Sequence, residues 1–550
     1  MDSIQFYLAS SLEKVFLTRR PLKMENGTQL STWRGAHAAV QLVCEAAPGT
    51  NAKRFAIDVQ GAPCAVKIYE VENVPSQLAI RSDGAADDNY ITREPGLFPD
   101  ALPLAAEPEL RALAGQCRAL WLRFEAAEDT PAGTYPIVIR ASSEDGECYA
   151  CDFVLHIADA VLPDQKLIHT EWFHADCLAD YYRVEPWSEE HWRIVEHFIA
   201  FAARHGINMI LTPVVTPALD TQIGGERTTV QLVDVTLENG EYRFGFDKLR
   251  RWVEICQKHG VKYLEIAHPY TQWGAKAAPK VMATVDGVQK RIFGWDTPAT
   301  GEAYRQFLYA FIPALKAALA EMGMDREHVY YHISDEPNAD NMEFYQAAKE
   351  QIDPLYDDCI VIDALSNVEF YRKGLVSHPI PCNNHIEPFI EAKVPDLWTY
   401  YCVGQAVDVP NRFFAMPSAR NRIMGVLLYL YDLKGFLQWG FNFYNTQYSI
   451  RHIDPWRVTD AGMAFPSGDA FIVYPGEDGE PVTSIRAEVQ DDALLDLRAL
   501  EALEAKIGRA GVEKIIYANA PMDKITFTDY PHDPQYLLAL REAVAQALEA

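Results

Sequence analysis

From about residue 167 the chain alternates short, continuously apolar runs with amphipathic helical stretches, and this rhythm restricts the fold more than any other feature of the sequence. Strands that are apolar along their whole length are buried on both faces, and a helix between successive strands makes them parallel. Runs near 169–174, 208–214, 262–268, 328–334, 359–364, 380–384, 396–402 and 436–442 read as such strands. Eight in series predict a (β/α)8 TIM-like barrel, with a doubly wound open sheet as the alternative topology. The helices between them carry their own punctuation. Ser188 is placed to cap a helix with Glu189 and Glu190 in its first turn, a stripe of Trp192, Val195, Ile199 and Ala202, and a stop at Gly206. Asp247 opens a second, ending at Gly260, and a third keeps a 3.6-residue stripe from Tyr304 to Met322. His205-Gly206 is echoed by His259-Gly260, a weak repeat of one βα unit.

Residues 1–163 read differently, as a β-sandwich. In the run 120–125, Leu120, Leu122 and Phe124 alternate with Arg123 and Glu125, the pattern of a half-buried antiparallel strand. Cys151, Phe153, Leu155 and Ile157 repeat it against Asp152 and His156. Residues 83–88 and the Pro-rich stretch 95–108 read as surface loop. The boundary falls at Asp159–Gln165, so the barrel domain is expected over 164–550, with a long acidic, Gly-rich insert near 445–485 and a helical C-terminus over Leu494–Ile507 and Pro534–Leu548.

Composition narrows the function. The 49 Lys+Arg against 77 Asp+Glu leave a net charge of −28, which repels phosphate backbones and anionic headgroups. Nucleic-acid and membrane partners are therefore not expected, and a small neutral or cationic substrate is. No apolar run reaches the roughly 18–20 residues that span a bilayer. The first twenty residues lack a secretory pattern, so a cytoplasmic location is expected. The ten cysteines are scattered, and Cys148 and Cys151, three apart on a strand, point to opposite faces, which argues against a metal or redox pair.

Active sites of such barrels form at the C-terminal ends of the strands. The fourth run exits as His332-Ile333-Ser334-Asp335-Glu336-Pro337, whose two adjacent carboxyls are the sharpest feature of the chain. Protonating a leaving oxygen needs an acid of raised pKa, and a neighbouring carboxyl helps to raise it. Pro337 is expected to hold Glu336 extended. The competing structural role is a cap on the next helix. A conventional retaining glycosidase needs a second carboxylate about 5 Å away. Runs seven and eight offer no acid at their exits, Glu265 lies inside the third, and Glu387 is the one convenient substitute. An adjacent Asp-Glu pair without a distant nucleophile suits substrate-assisted hydrolysis, in which Asp335 orients a 2-acetamido group and Glu336 serves as acid and then base. Aromatics gather at the same barrel end: Trp172, Tyr270, Trp273, Trp398, Tyr400, Tyr401, Trp439 and Tyr444, whose faces can stack on a sugar. His174, His268, Asn384 and Asn442 are polar exit residues able to bond hydroxyls. No metal or nucleotide motif is present, so no cofactor is expected.

The Asp335-Glu336-Pro337 exit, the strand 435–442, and Tyr474-Pro475-Gly476 followed by Ser484-Ile485-Arg486-Ala487-Glu488 resemble glycoside hydrolase family 123, the β-N-acetylgalactosaminidases. The resemblance covers mainly 167–510 and implies a front β-sandwich, a substrate-assisted role for Asp335 and Glu336, and acetamido-pocket and stacking roles for Trp398, Tyr400 and Trp439. With no secretory pattern, it implies short imported glycans as substrate. The expected activity is removal of β-linked N-acetylhexosamine, GalNAc preferred. Two alternatives stand beside it: a two-carboxylate glycosidase using Glu336 and Glu387, and a non-catalytic carbohydrate-binding protein.

Overall fold

A computed structural model describes residues 3–518 and 520–550. Its centre is an eight-stranded parallel barrel: β1 (Ile168–Glu171), β2 (Met209–Thr212), β3 (Tyr263–Ile266), β4 (Val329–Tyr331), β5 (Ile360–Ala364), β6 (His378–Ile380), β7 (Trp398–Tyr400) and β8 (Gly435–Gln438). Each expected run overlaps one of them, the sixth at Ile380 alone. The sheet runs 6-5-4-3-2-1-8-7, and its two edges meet at a parallel bridge between Cys382 and Tyr400, where the Tyr400 N–H donates to the Pro381 carbonyl at 3.1 Å. This contact nearly closes the ring and disposes of the open-sheet alternative.

The outer helices follow their caps. Helix α1 (Glu189–Arg204) begins where Ser188 Oγ accepts the His191 N–H at 3.2 Å. It ends at Gly206, whose φ of +74° suits glycine and where a Cβ would lie 2.6 Å from Leu494. Helices α2 (Asp247–Lys258) and α3 (Glu302–Glu321) match their stripes. Two hairpins, over Asp234–Gly245 before α2 and over Val281–Phe293 between α2 and α3, form a four-stranded sheet beside the barrel.

The front region forms two facing sheets of four and five strands, and the final long strand ends at Val161. Leu120, Leu122 and Phe124 pack against Ile137, Ile139, Phe153 and Leu155 between them. The polar face of the strand Cys117–Glu125 is not solvated, contrary to the half-buried reading. It is covered by α4 (Ile485–Ile507), where Arg123 binds Glu488 and, at 3.1 Å, Asp491. His156 likewise meets Glu549 of α5 (Pro534–Glu549) at 3.2 Å. Period-two alternation distinguishes the two faces of a strand without revealing what covers the polar one. Cys148 is exposed and Cys151 buried, both as free thiols.

A second departure lies in the stretch read as Pro-rich loop. Gly96–Leu102 is a strand between Glu72–Ser76 and Pro481–Ser484. Pro99 pairs next to a register shift between Glu72 and Asn73, and the other neighbour reaches only Ala101 and Leu102, so its missing N–H disrupts no ladder. Through this strand the insert after β8 is stitched to the front region. Buried Arg486 donates to both oxygens of Asp100 at 2.9 and 2.8 Å, and also to the Gly468 and Phe471 carbonyls, while Ser484 Oγ caps α4. The Ser484–Glu488 motif thus marks the joint between layers. Truncating Arg486 to Ala would strand a buried carboxylate, at a cost of about 3–5 kcal/mol in denaturant unfolding. The exposed Arg457, 3.5 Å from Asp454, should cost about 1 kcal/mol or less when truncated. Among the described residues no helix is long and apolar enough to cross a membrane.

Candidate active site

The C-terminal mouth of the barrel encloses a cavity of about 210 Å³. Asp335 and Glu336 line it, and β4 delivers both. Tyr331 ends that strand, and the chain then passes through a turn held by Ser334 Oγ donating to the Thr271 carbonyl at 2.9 Å. Glu336 adopts φ +44°. Pro337 does exclude right-handed helix at Glu336, as expected, but the backbone resolves the clash in the left-handed region rather than by extension. The pair does not cap the following turn: Asn338 does, accepting the Asp340 N–H at 2.9 Å.

Both carboxyls are pushed above the ordinary carboxylate range. Burial is the main cause, and for Asp335 the adjacent Glu336 carboxyl adds to it. The Tyr400 hydroxyl opposes the shift at Glu336 by donating to its Oε1 at 2.8 Å.

A buried ion network lies beneath. His332 sits between Glu265 at 2.7 Å and Asp363 at 3.1 Å; burial alone would depress its pKa, but these two partners raise it to about 9. Glu265 also accepts from Thr170 and, at 2.8 Å, from Trp172 Nε1, so the same carboxylate that braces the floor fixes the indole of the wall. Asp363 takes the Ile333 N–H at 3.1 Å and the Tyr345 hydroxyl. Glu265 is therefore committed to structure, consistent with its place inside the strand.

Trp172, Tyr400 and Trp439 line the cavity with the carboxyl pair. Trp439 Nε1 donates to Asp469 at 3.1 Å, a buried acid raised to about 7 by desolvation. The other expected ligands lie elsewhere. Trp398 is one layer lower than Tyr400 on β7 and fills the barrel floor; a Cβ on Gly435 would lie 1.9 Å from its ring. Asn442 braces β1 to β8, accepting the His174 N–H at 2.8 Å and donating to the His174 carbonyl at 3.1 Å. The His174 ring is buried between Arg227 and the Trp439 carbonyl, both at 3.0 Å, and burial drives its pKa down to about 3. His268 is buried and stacked on His332 at 3.9 Å. Asn384 is an exposed acceptor for Gln405 at 2.9 Å. Glu387 is exposed in the first turn of a short helix and does not line the cavity. Of the further aromatics, Tyr270, Tyr401 and Tyr444 are buried packing residues with hydroxyls turned to Ala348, Asn421 and Val473.

The cavity also takes residues that the strand exits do not announce. Leu219 and Asp220 come from the loop after β2, Gln272 from the loop after β3, beside the expected Trp273, and Gln447, Tyr448 and Phe465 from the insert after β8. Desolvation raises Asp220 to about 6. Such loop residues have no periodicity to betray them.

Adjacent carboxyls of raised pKa beside aromatic walls, in a pocket the size of one sugar ring, fit the chemistry of glycosidic-bond cleavage. Residues 172–503 match the family model of the glycoside hydrolase 123 catalytic domain, more than half of the chain, and the protein belongs to that glycoside hydrolase family. A family 123 glycoside hydrolase from Clostridium perfringens, studied for glycolipid glycan hydrolysis, has a similar structure: TM-score 0.75 at 14% identity, covering 99% of this chain and 98% of that one. A β-glucuronidase from Ruminococcus gnavus aligns at TM-score 0.32 and 10% identity over 85% of this chain and 68% of its own. No curated protein matches the chain.

Proposed function

We propose that the enzyme removes a terminal β-linked N-acetylhexosamine, with GalNAc preferred, by substrate-assisted retaining catalysis. The observation that carries this reading is the arrangement of Asp335 and Glu336 side by side on one turn of the cavity, with Glu387 outside it. Glu336 protonates the leaving oxygen while the acetamido carbonyl oxygen forms a bond to the anomeric carbon and the glycosidic C–O bond breaks. Asp335 accepts the acetamido N–H and offsets the positive charge that develops on the ring. The Tyr400 hydroxyl then stabilises the Glu336 carboxylate. That carboxylate takes a proton from water as the water opens the oxazolinium at the same carbon. Two inversions leave the β configuration. The preference for GalNAc rests on the family and on the glycolipid glycans of the Clostridium relative.

The pH profile tests the proton assignment. With Glu336 as the acid, kcat/KM on an unactivated β-N-acetylhexosaminide should fall as pH rises through the upper pKa of the pair, above the usual carboxylate value of about 4.3. In Glu336→Gln that alkaline limb should disappear. Persistence of the limb in the variant, or failure of the wild type to cleave any β-N-acetylhexosaminide, would overturn the reading.

A further inference from the structure

We propose that Trp273 and Tyr448, at the mouth of the cavity, form a leaving-group site for an uncharged hexopyranose, and that Asp220 beside them turns away acidic ones. This inference rests on the hexosaminidase reading and extends it to the other side of the scissile bond.

A cavity of about 210 Å³ holds one sugar ring, so whatever is attached to the leaving oxygen extends toward solvent. Trp273 and Tyr448 stand there with 37% and 39% of their surface exposed, whereas the Trp172 and Tyr400 walls are buried. Two adjacent exposed aromatics among polar residues at a pocket rim form the kind of apolar patch that meets a ligand. Their ring centroids are 5.8 Å apart and their planes meet at 87°, which makes an open corner of one face and one edge. A pyranose offers that corner a flat C–H face and a rim of hydroxyls.

The corner is built onto the catalytic turn. The Trp273 N–H donates to the Asp335 carbonyl at 3.0 Å, and the Tyr448 N–H donates to the Asp220 carboxylate at 3.0 Å. Ser449 Oγ donates to the Asp220 carbonyl at 2.8 Å, and the Gln222 N–H to the Tyr448 carbonyl at 2.9 Å. Both aromatics have left-handed backbone, φ +59° and +62°, uncommon for residues with a side chain and maintained here by these bonds.

Charge gives the selectivity. Among the described residues lining the cavity are three carboxyls and two carboxamides, but no Lys or Arg. Arg227, the cation behind Asp220, is committed to Asp176 at 2.7 and 2.8 Å. A sugar carboxylate or sulfate at the mouth would find repulsion and no partner.

The test compares two substrates: a β-N-acetylhexosaminyl fluoride, which has no leaving-group ring, and the same sugar β-linked to a neutral hexose. In Trp273→Ala and Tyr448→Ala the loss of kcat/KM on the disaccharide should exceed that on the fluoride by about tenfold to a hundredfold. Alanine keeps the Trp273 backbone N–H and its bond to Asp335, so the catalytic turn is retained. The wild type should cleave a disaccharide with a uronic acid as leaving sugar at least about tenfold more slowly than the neutral one, and Asp220→Asn should narrow that gap. Equal losses on both substrates, or equal cleavage of neutral and acidic disaccharides, would overturn the proposal. If the wild type releases fluoride but not the neutral hexose, the leaving-group site fails while the hexosaminidase reading stands. If it cleaves neither, both fail.

Discussion

Glu336→Gln should lower kcat on an unactivated β-N-acetylhexosaminide by about 10² to 10⁴, the usual contribution of general acid catalysis, with the melting temperature unchanged. Glutamine preserves the shape of the side chain and can still accept from the Tyr400 hydroxyl, which donates to Glu336 at 2.8 Å, so the loss reports the missing proton rather than a rearranged pocket. The leaving group offers an internal control. A dinitrophenolate departs without protonation, so bond cleavage in the variant should recover on the dinitrophenyl glycoside, leaving the water-activating second step as the slow one. Steady-state rates of the two substrates, with a pre-steady-state burst sought on the activated one, separate these steps. Activity like the wild type's on the unactivated substrate would remove Glu336 from the mechanism.

The barrel was legible in the sequence because each of its strands is buried on both faces, which produces apolar runs between capped helices. Asp335 and Glu336 were legible for a related reason: a strand's C-terminal end is a position that sequence can locate, and two acids there have little structural use. What escaped was depth and coverage. Trp398 and Tyr400 lie two residues apart on one face of β7, and only a layer separates the floor from the pocket wall. His174 and Asn442 look like ligands in sequence because both are polar exit residues, yet they bond each other's elements. Asp220, Gln272 and Tyr448 reach the cavity from loops whose paths depend on contacts distant in sequence, such as the bond from the Tyr448 N–H to Asp220. The front strand holding Pro99 was hidden because proline usually argues against a strand, while the register shift that accommodates it is visible only in three dimensions.

The source of the nucleophile gives the other large effect. If the acetamido carbonyl attacks the anomeric carbon, kcat/KM on an aryl β-N-acetylhexosaminide should exceed that on the matching aryl β-hexoside by at least about a thousandfold, because the 2-hydroxyl analogue lacks an intramolecular nucleophile of high effective concentration. A thiazoline that mimics the oxazolinium ring should inhibit far more tightly than the substrate binds, since the site is complementary to that species. Asp335→Asn should also lower kcat: an amide can turn its NH₂ toward the acetamido N–H and cannot offset the positive charge of the intermediate. Glu387→Gln should be near wild type, as Glu387 is exposed at the start of its helix and away from the cavity. The two-carboxylate mechanism makes the opposite demands. It requires Glu387 for the first step and tolerates a plain 2-hydroxyl. Efficient cleavage of an unsubstituted β-galactoside, together with a glycosyl ester trapped on Glu387 and detected by mass spectrometry, would therefore sink substrate assistance, whereas a trapped oxazoline product and an intact Glu387 would leave the acetamido group as the attacking atom's source.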